Sequence, residues 1–107
     1  MRRAARTDAN QSEIVAALRA VGATVQSLAS VGCGCPDLAV GRNGRNWFME
    51  VKDGSKPPSR QSLTSEELIW HNEWKGQVSI VTNVREALAV IGDRPGSGTP
   101  GLRLQPT

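Results

Sequence analysis

The sequence predicts an α/β domain in which a mixed four-stranded sheet is flanked by helices. Three observations carry this. Asn43-Gly44 joins two apolar runs, the strongest short hairpin signal. Apolar residues recur at three- and four-residue spacing in segments on both sides of that hairpin. A β-branched run, "QVSIVT", lies between the last two of those helical segments. With 107 residues the chain is long enough for one modest core and too short for two.

Each element follows in order. From Asp8 or Asn10 to about Val21, the residues Ile14, Ala17, Leu18 and Val21 make one helical stripe. Asn10 with Glu13 fits a polar cap followed three residues later by Glu, and Gly22 fits a stop. Ala23 to Ser30 reads as a first strand. "GCGC" is then a turn into a second strand that opens at Pro36, a tolerated first position. The hairpin supplies strands two and three. "DGSKPPSRQS" is a polar loop. Thr64 caps the next helix with Glu67 three later, and Gly76 closes it; Trp70 and Trp74 are spaced to pack together against the sheet. "QVSIVT" reads as a short buried strand. Asn83, with Glu86 three later, caps a last helix that Gly92 stops. Residues 1–92 are thus expected to form one domain with its core over 8–92. The Gly/Pro-rich stretch 93–107 is expected to be a flexible tail. Three strands in a meander, then a helix crossing over to a fourth, require a mixed sheet.

Composition narrows the function classes. No apolar run approaches the ~20 residues of a membrane helix. The basic N-terminus leads into polar residues, not an apolar signal core, so a cytoplasmic location is expected. Cys33 and Cys35, with His71 the chain's one histidine, fall short of a structural zinc site, and zinc is not expected. The net charge of +3 favours an anionic partner. Arg2, Arg3 and Arg6 cluster at the start, Arg42 and Arg45 flank the hairpin tip, and Lys56 and Arg60 follow it.

The hairpin carries an anomaly. Counting outward from Asn43-Gly44, Val40 faces Trp47, Ala39 faces Phe48 and Asp37 faces Glu50. Alternation then places Lys52 on the same face as Glu50. Two carboxylates at about 4 Å, with an effective dielectric of about 20, repel by on the order of 4 kcal/mol. A shared proton, the Lys52 ammonium or a bound cation would offset that. Hard cations such as Mg²⁺ and Mn²⁺ take carboxylate and main-chain oxygens with water. Asp37, Glu50 and the Val51 carbonyl would supply part of such a shell, with Lys52 as a point charge beside a scissile phosphate. A salt-bridge network without activity would account for the same residues.

Pro36-Asp37 followed by Glu50-Val51-Lys52 resembles the PD-(D/E)XK motif of the restriction-endonuclease-like nucleases, whose αβββαβ core matches the order above. Within that superfamily the chain is most similar to VRR-NUC domains and Holliday-junction-resolvase-like phage nucleases, over about Asp8 to Gly92. The resemblance implies that Asp37, Glu50 and the Val51 carbonyl bind Mg²⁺ or Mn²⁺, that Lys52 is the catalytic lysine, and that Glu13 joins the metal site directly or through water. Many VRR-NUC relatives carry glutamine in the helix after the lysine; this chain places Glu67 there, with Gln61 earlier in the loop. The implied activity is metal-dependent cleavage of DNA, selective for branched, junction or flap structures, in phage or bacterial repair or recombination. Arg6, Arg42, Arg45, Lys56 and Arg60 are the expected nucleic-acid contacts. A homodimer is expected on grounds of size and resemblance. The alternatives are a non-catalytic DNA-binding module or nuclease-complex subunit, and a sequence-specific restriction-type endonuclease.

Overall fold

The computed structural model describes residues 8–92. Arg2, Arg3, Arg6 and the expected tail, 93–107, lie outside the described residues. In chain order the elements are α1 (Gln11–Ala20), β1 (Thr24–Ser27), β2 (Leu38–Arg42), β3 (Arg45–Val51), a 3₁₀ turn (Pro58–Arg60), α2 (Ser65–Glu73), β4 (Ser79–Val81) and α3 (Val84–Val90). The sheet runs β1-β2-β3-β4, antiparallel up to β3 and parallel between β3 and β4. This is the expected αβββαβ order with a C-terminal helix.

The hairpin forms in the register that its turn dictates. Asn43 and Gly44 both have positive φ, 53° and 79°, the conformation of a two-residue turn whose twist matches the strands. Ala39 pairs with Phe48 and Val40 with Trp47. Alternation then divides the sheet into two faces. Leu38 and Val40 of β2 and Trp47, Met49 and Val51 of β3 bury into one core with Ile14 and Leu18 of α1, Val81 of β4 and Leu88 of α3. Phe48, Glu50 and Lys52 point the other way, toward α2.

α2 is held differently from the other helices. It has no buried residue, and its Thr64 capping box forms as the sequence expects. Phe48 meets Trp70 and Trp74 edge-on at ring centroid distances of 6.0 and 5.2 Å, and the two tryptophans stack at 4.6 Å. Trp74 nevertheless remains 41% exposed, so this cluster is a surface cover and not core. At the other end of α2, Gly34 (φ +83°) permits a close approach: a Cβ there would collide with the Glu66 carbonyl.

Two local expectations give way to tertiary contacts. Asn10 is itself helical and makes no side-chain cap. Its amide donates instead to the Lys52 and Thr82 carbonyls at 3.2 and 2.9 Å, satisfying acceptors where β3 and β4 end. β4 is shorter than "QVSIVT" suggests and forms the sheet's edge, so Ile80 is 45% exposed.

Candidate active site

The end of the hairpin away from its turn brings the motif together. Pro36, buried, leads into Asp37 just before β2, and the Val51 N–H donates to Asp37 Oδ2 at 2.7 Å. Asp37 and Glu50 therefore sit across the ends of two paired strands, as the register requires. Glu50 is 2% exposed, and its Oε1 has no hydrogen-bond partner. A buried carboxylate oxygen left unpaired costs about 1–3 kcal/mol or more.

Lys52 offsets this pair only in part. Its Nζ lies 3.7 Å from Glu50 Oε2 but 2.8 Å from Oε1 of Glu67, on α2. Of the three ways to relieve the carboxylate repulsion, the ammonium thus makes its short bond elsewhere, which leaves most of the work to a proton or a cation. The electrostatics agree. Burial, then the charges of Asp37 and Glu67, push the Glu50 carboxyl up to about 9. Burial also raises Asp37, against the Val51 N–H that lowers it. Burial alone would lower Lys52, but the Glu67 hydrogen bond and charge, with Glu50, carry it above its usual value. Burial would raise Glu67, yet the hydrogen bonds from Lys52 and from the Thr64 N–H bring it below the usual range. The Asp37 and Glu50 shifts both favour a proton held within that pair when no cation is bound, beside the Lys52–Glu67 ion pair.

These groups open onto a cavity of about 500 Å³ lined by Asp8, Ala9, Asp37, Glu50, Val51, Lys52, Lys56, Arg60 and Glu67. Lys56 and Arg60 are thus the two of the expected cationic contacts that line this cavity. Arg42 and Arg45 pair at the hairpin tip, at the opposite end of β2 and β3 from the carboxylates. Arg6 lies outside the described residues. Glu13 is not brought to the carboxylates: it is exposed and lines a separate depression with Asn10, Asp53 and Arg85. The residue of the segment before α1 that lines the cavity with a carboxylate is Asp8, whose charge acts on Lys52.

Sequence reasoning left Asp8 and Glu67 out of the site. Thr64-x-x-Glu67 was legible as a capping box, and that box forms; nothing local showed that the same oxygen would also reach Lys52. Asp8 carries no periodic or motif signal. Among the described residues no three His, Cys, Asp or Glu side chains converge as a ready metal cage. What the site offers is two facing carboxylates, one with a bare buried oxygen, in a cavity that Val51 also lines. Mg²⁺ keeps several waters and is bound through one or two carboxylates, so this oxygen donor set fits it.

No family model matches the chain, and no curated protein matches it. A solved structure described as a VRR_NUC domain does match, with 26% sequence identity and a TM-score of 0.57 over 76% of this chain and 88% of that one. The mixed sheet, its helices and the hairpin-borne Asp37, Glu50 and Lys52 lead to one conclusion: this chain has the fold of, and is similar to, the VRR-NUC domains of the PD-(D/E)XK nuclease superfamily.

Proposed function

We propose that the chain is a Mg²⁺- or Mn²⁺-dependent DNA endonuclease, selective for branched structures such as junctions or flaps and serving DNA repair or recombination. The observation that carries this is the bare, buried Glu50 Oε1 opposite Asp37 on a cavity also lined by Lys52, Lys56 and Arg60. Similarity to a VRR_NUC domain supports the nuclease reading.

Asp37, Glu50 and the Val51 carbonyl would hold the cation. When bound, such an ion supplies Lewis-acid stabilisation of phosphoryl charge and acidifies water. The chain's own residues do the rest. The Val51 N–H fixes the Asp37 carboxylate, and burial keeps bulk water from Glu50. Lys52, charged at neutral pH, places an ammonium where negative charge develops on the scissile phosphate. Lys56 and Arg60 attract the flanking phosphates, giving affinity without base readout. With so few contacts, DNA shape is a better cue than sequence.

Titration of Mn²⁺ into the wild type and Asp37→Asn, followed by cleavage of a four-way junction, a flap and a linear duplex, tests this. The expected result is Mn²⁺ binding that the variant loses, with metal-dependent cutting of the branched substrates. DNA binding without metal and without cutting would identify a binding module instead; equal cutting of the linear duplex at a fixed sequence would identify a restriction-type enzyme.

A homodimer forms part of the proposal. Leu68 and Ile69 on α2, Trp74 just beyond it and Ile80 on the edge strand expose apolar surface, from 41 to 56% each, that a second copy would cover. Sedimentation at micromolar concentration is expected to give twice the monomer mass, and a monomer with and without DNA would remove this part.

A further inference from the structure

Lys52 is tied to two parts of the fold that are far apart in sequence. Its backbone continues β3 alongside β4: the Lys52 N–H donates to the Val81 carbonyl at 3.0 Å. Its ammonium belongs to α2, through Glu67 at 2.8 Å. The same Glu67 oxygen accepts the Thr64 N–H at 2.9 Å, while Thr64 Oγ1 accepts the Glu67 N–H at 3.2 Å. One carboxylate oxygen thus closes the first turn of α2 and holds the ammonium.

That double duty matters because α2 has few other attachments. No residue of it is buried, and it meets the sheet through the edges of Phe48, Trp70 and Trp74 and through the close approach at Gly34. Without Glu67, the ion pair that Lys52 retains among the described residues is with Glu50 Oε2, at 3.7 Å. The ammonium would then turn onto the carboxylate meant for the cation and away from the position that α2 gives it. A lysine stem has four rotatable carbons and a non-directional charge, so its aim comes from its partner.

We propose that Glu67 is a positioning residue: carried on the first turn of α2, its carboxylate aims the Lys52 ammonium by the direct bond between them, and the cap it also closes is not the route of that aim. The proposal rests on the nuclease reading above.

Three variants separate aiming from folding. Glu67→Ala removes both bonds of the shared oxygen. Glu67→Gln keeps an oxygen for each. Thr64→Ala opens the cap from the other side and leaves the Lys52–Glu67 pair in place. Residues that orient a catalytic group without touching substrate are worth about ten- to a hundredfold in activity. Glu67→Ala is accordingly expected to lower kcat by that factor at unchanged KM for DNA. Glu67→Gln should restore most of it, and Thr64→Ala should stay within about twofold of wild type. Equal losses in Glu67→Ala and Thr64→Ala, tracking their melting temperatures, would overturn the proposal.

A second readout needs no activity. The ¹⁵N–¹H signal of the Lys52 ammonium in the metal-free protein should shift or vanish in Glu67→Ala and persist in Thr64→Ala. An unchanged signal in Glu67→Ala would overturn the positioning role by itself. A wild type that cuts no DNA with either metal would overturn the nuclease reading instead, with the ammonium spectrum still reporting whether the pair exists.

Discussion

Replacing Lys52 by alanine is expected to lower the rate of DNA cleavage by about 10²–10³-fold, the usual cost of deleting one group aimed at developing charge. Mn²⁺ binding should survive, because the ammonium pairs with Glu67 and stands 3.7 Å from the nearest Glu50 oxygen. The combination is diagnostic. A surface salt-bridge lysine contributes about 0–1 kcal/mol and nothing to rate. A lysine that shields two acids would, on removal, weaken their tolerance of each other and change metal affinity first. An aimed catalytic ammonium changes rate and leaves the metal alone. Lys52→Ala will also strand Glu67, which loses its charged partner but keeps the Thr64 N–H. A modest fall in melting temperature should accompany the loss of rate, and circular dichroism with Mn²⁺ calorimetry on the same sample separates the two. Wild-type cleavage by Lys52→Ala would remove the lysine from the mechanism.

The second large effect is on stability against pH. The Glu50 carboxyl is pushed up to about 9 in the fold, against an ordinary value of 4.5. Between those two pH values the folded chain holds a proton that the unfolded chain releases. Stability therefore falls as pH rises through that window and is fully present only below it. Asp37, also raised, adds to the same slope. Glu67 is lowered, so its contribution runs the other way, lost as pH falls toward acid, and leaves the alkaline side to Glu50. In EDTA the melting temperature should decline from about pH 5 to pH 9.

A cation that binds only the folded state reverses this. It stabilises by RT ln(1 + [L]/Kd), and it must displace the Glu50 proton at neutral pH and below. The Mn²⁺-induced rise in melting temperature should consequently grow with pH. Glu50→Gln removes the titration and the ligand together. The variant should melt higher than the metal-free wild type at pH 8, show a smaller slope, and not respond to Mn²⁺. Thermal melts of both proteins at several pH values, with EDTA and with Mn²⁺, check all of this. A wild-type curve as flat as that of Glu50→Gln would mean that Glu50 is already ionised in the metal-free fold.

What the sequence by itself determined is the part of this protein set by local rules. Asn43-Gly44 forces positive φ at both positions, and that turn fixes every pair outward from it; alternation then puts Glu50 and Lys52 on one face, with Asp37 opposite. Thr64 with Glu67, and Asn83 with Glu86, cap their helices because those contacts lie within one turn. Only the tertiary structure decided the rest. The Asn10 amide abandons its own helix for carbonyls 42 and 72 residues away, and Glu67 reaches a lysine 15 residues back while still serving its cap. Asp8 stands at the cavity and Glu13 at another depression because of how α1 lies across the sheet, and an acid's spacing from the motif says nothing about that. A buried acceptor or ammonium takes whichever partner the packed elements bring within about 3 Å. Residues near in sequence are always on offer; those near in space exist only once the fold has formed.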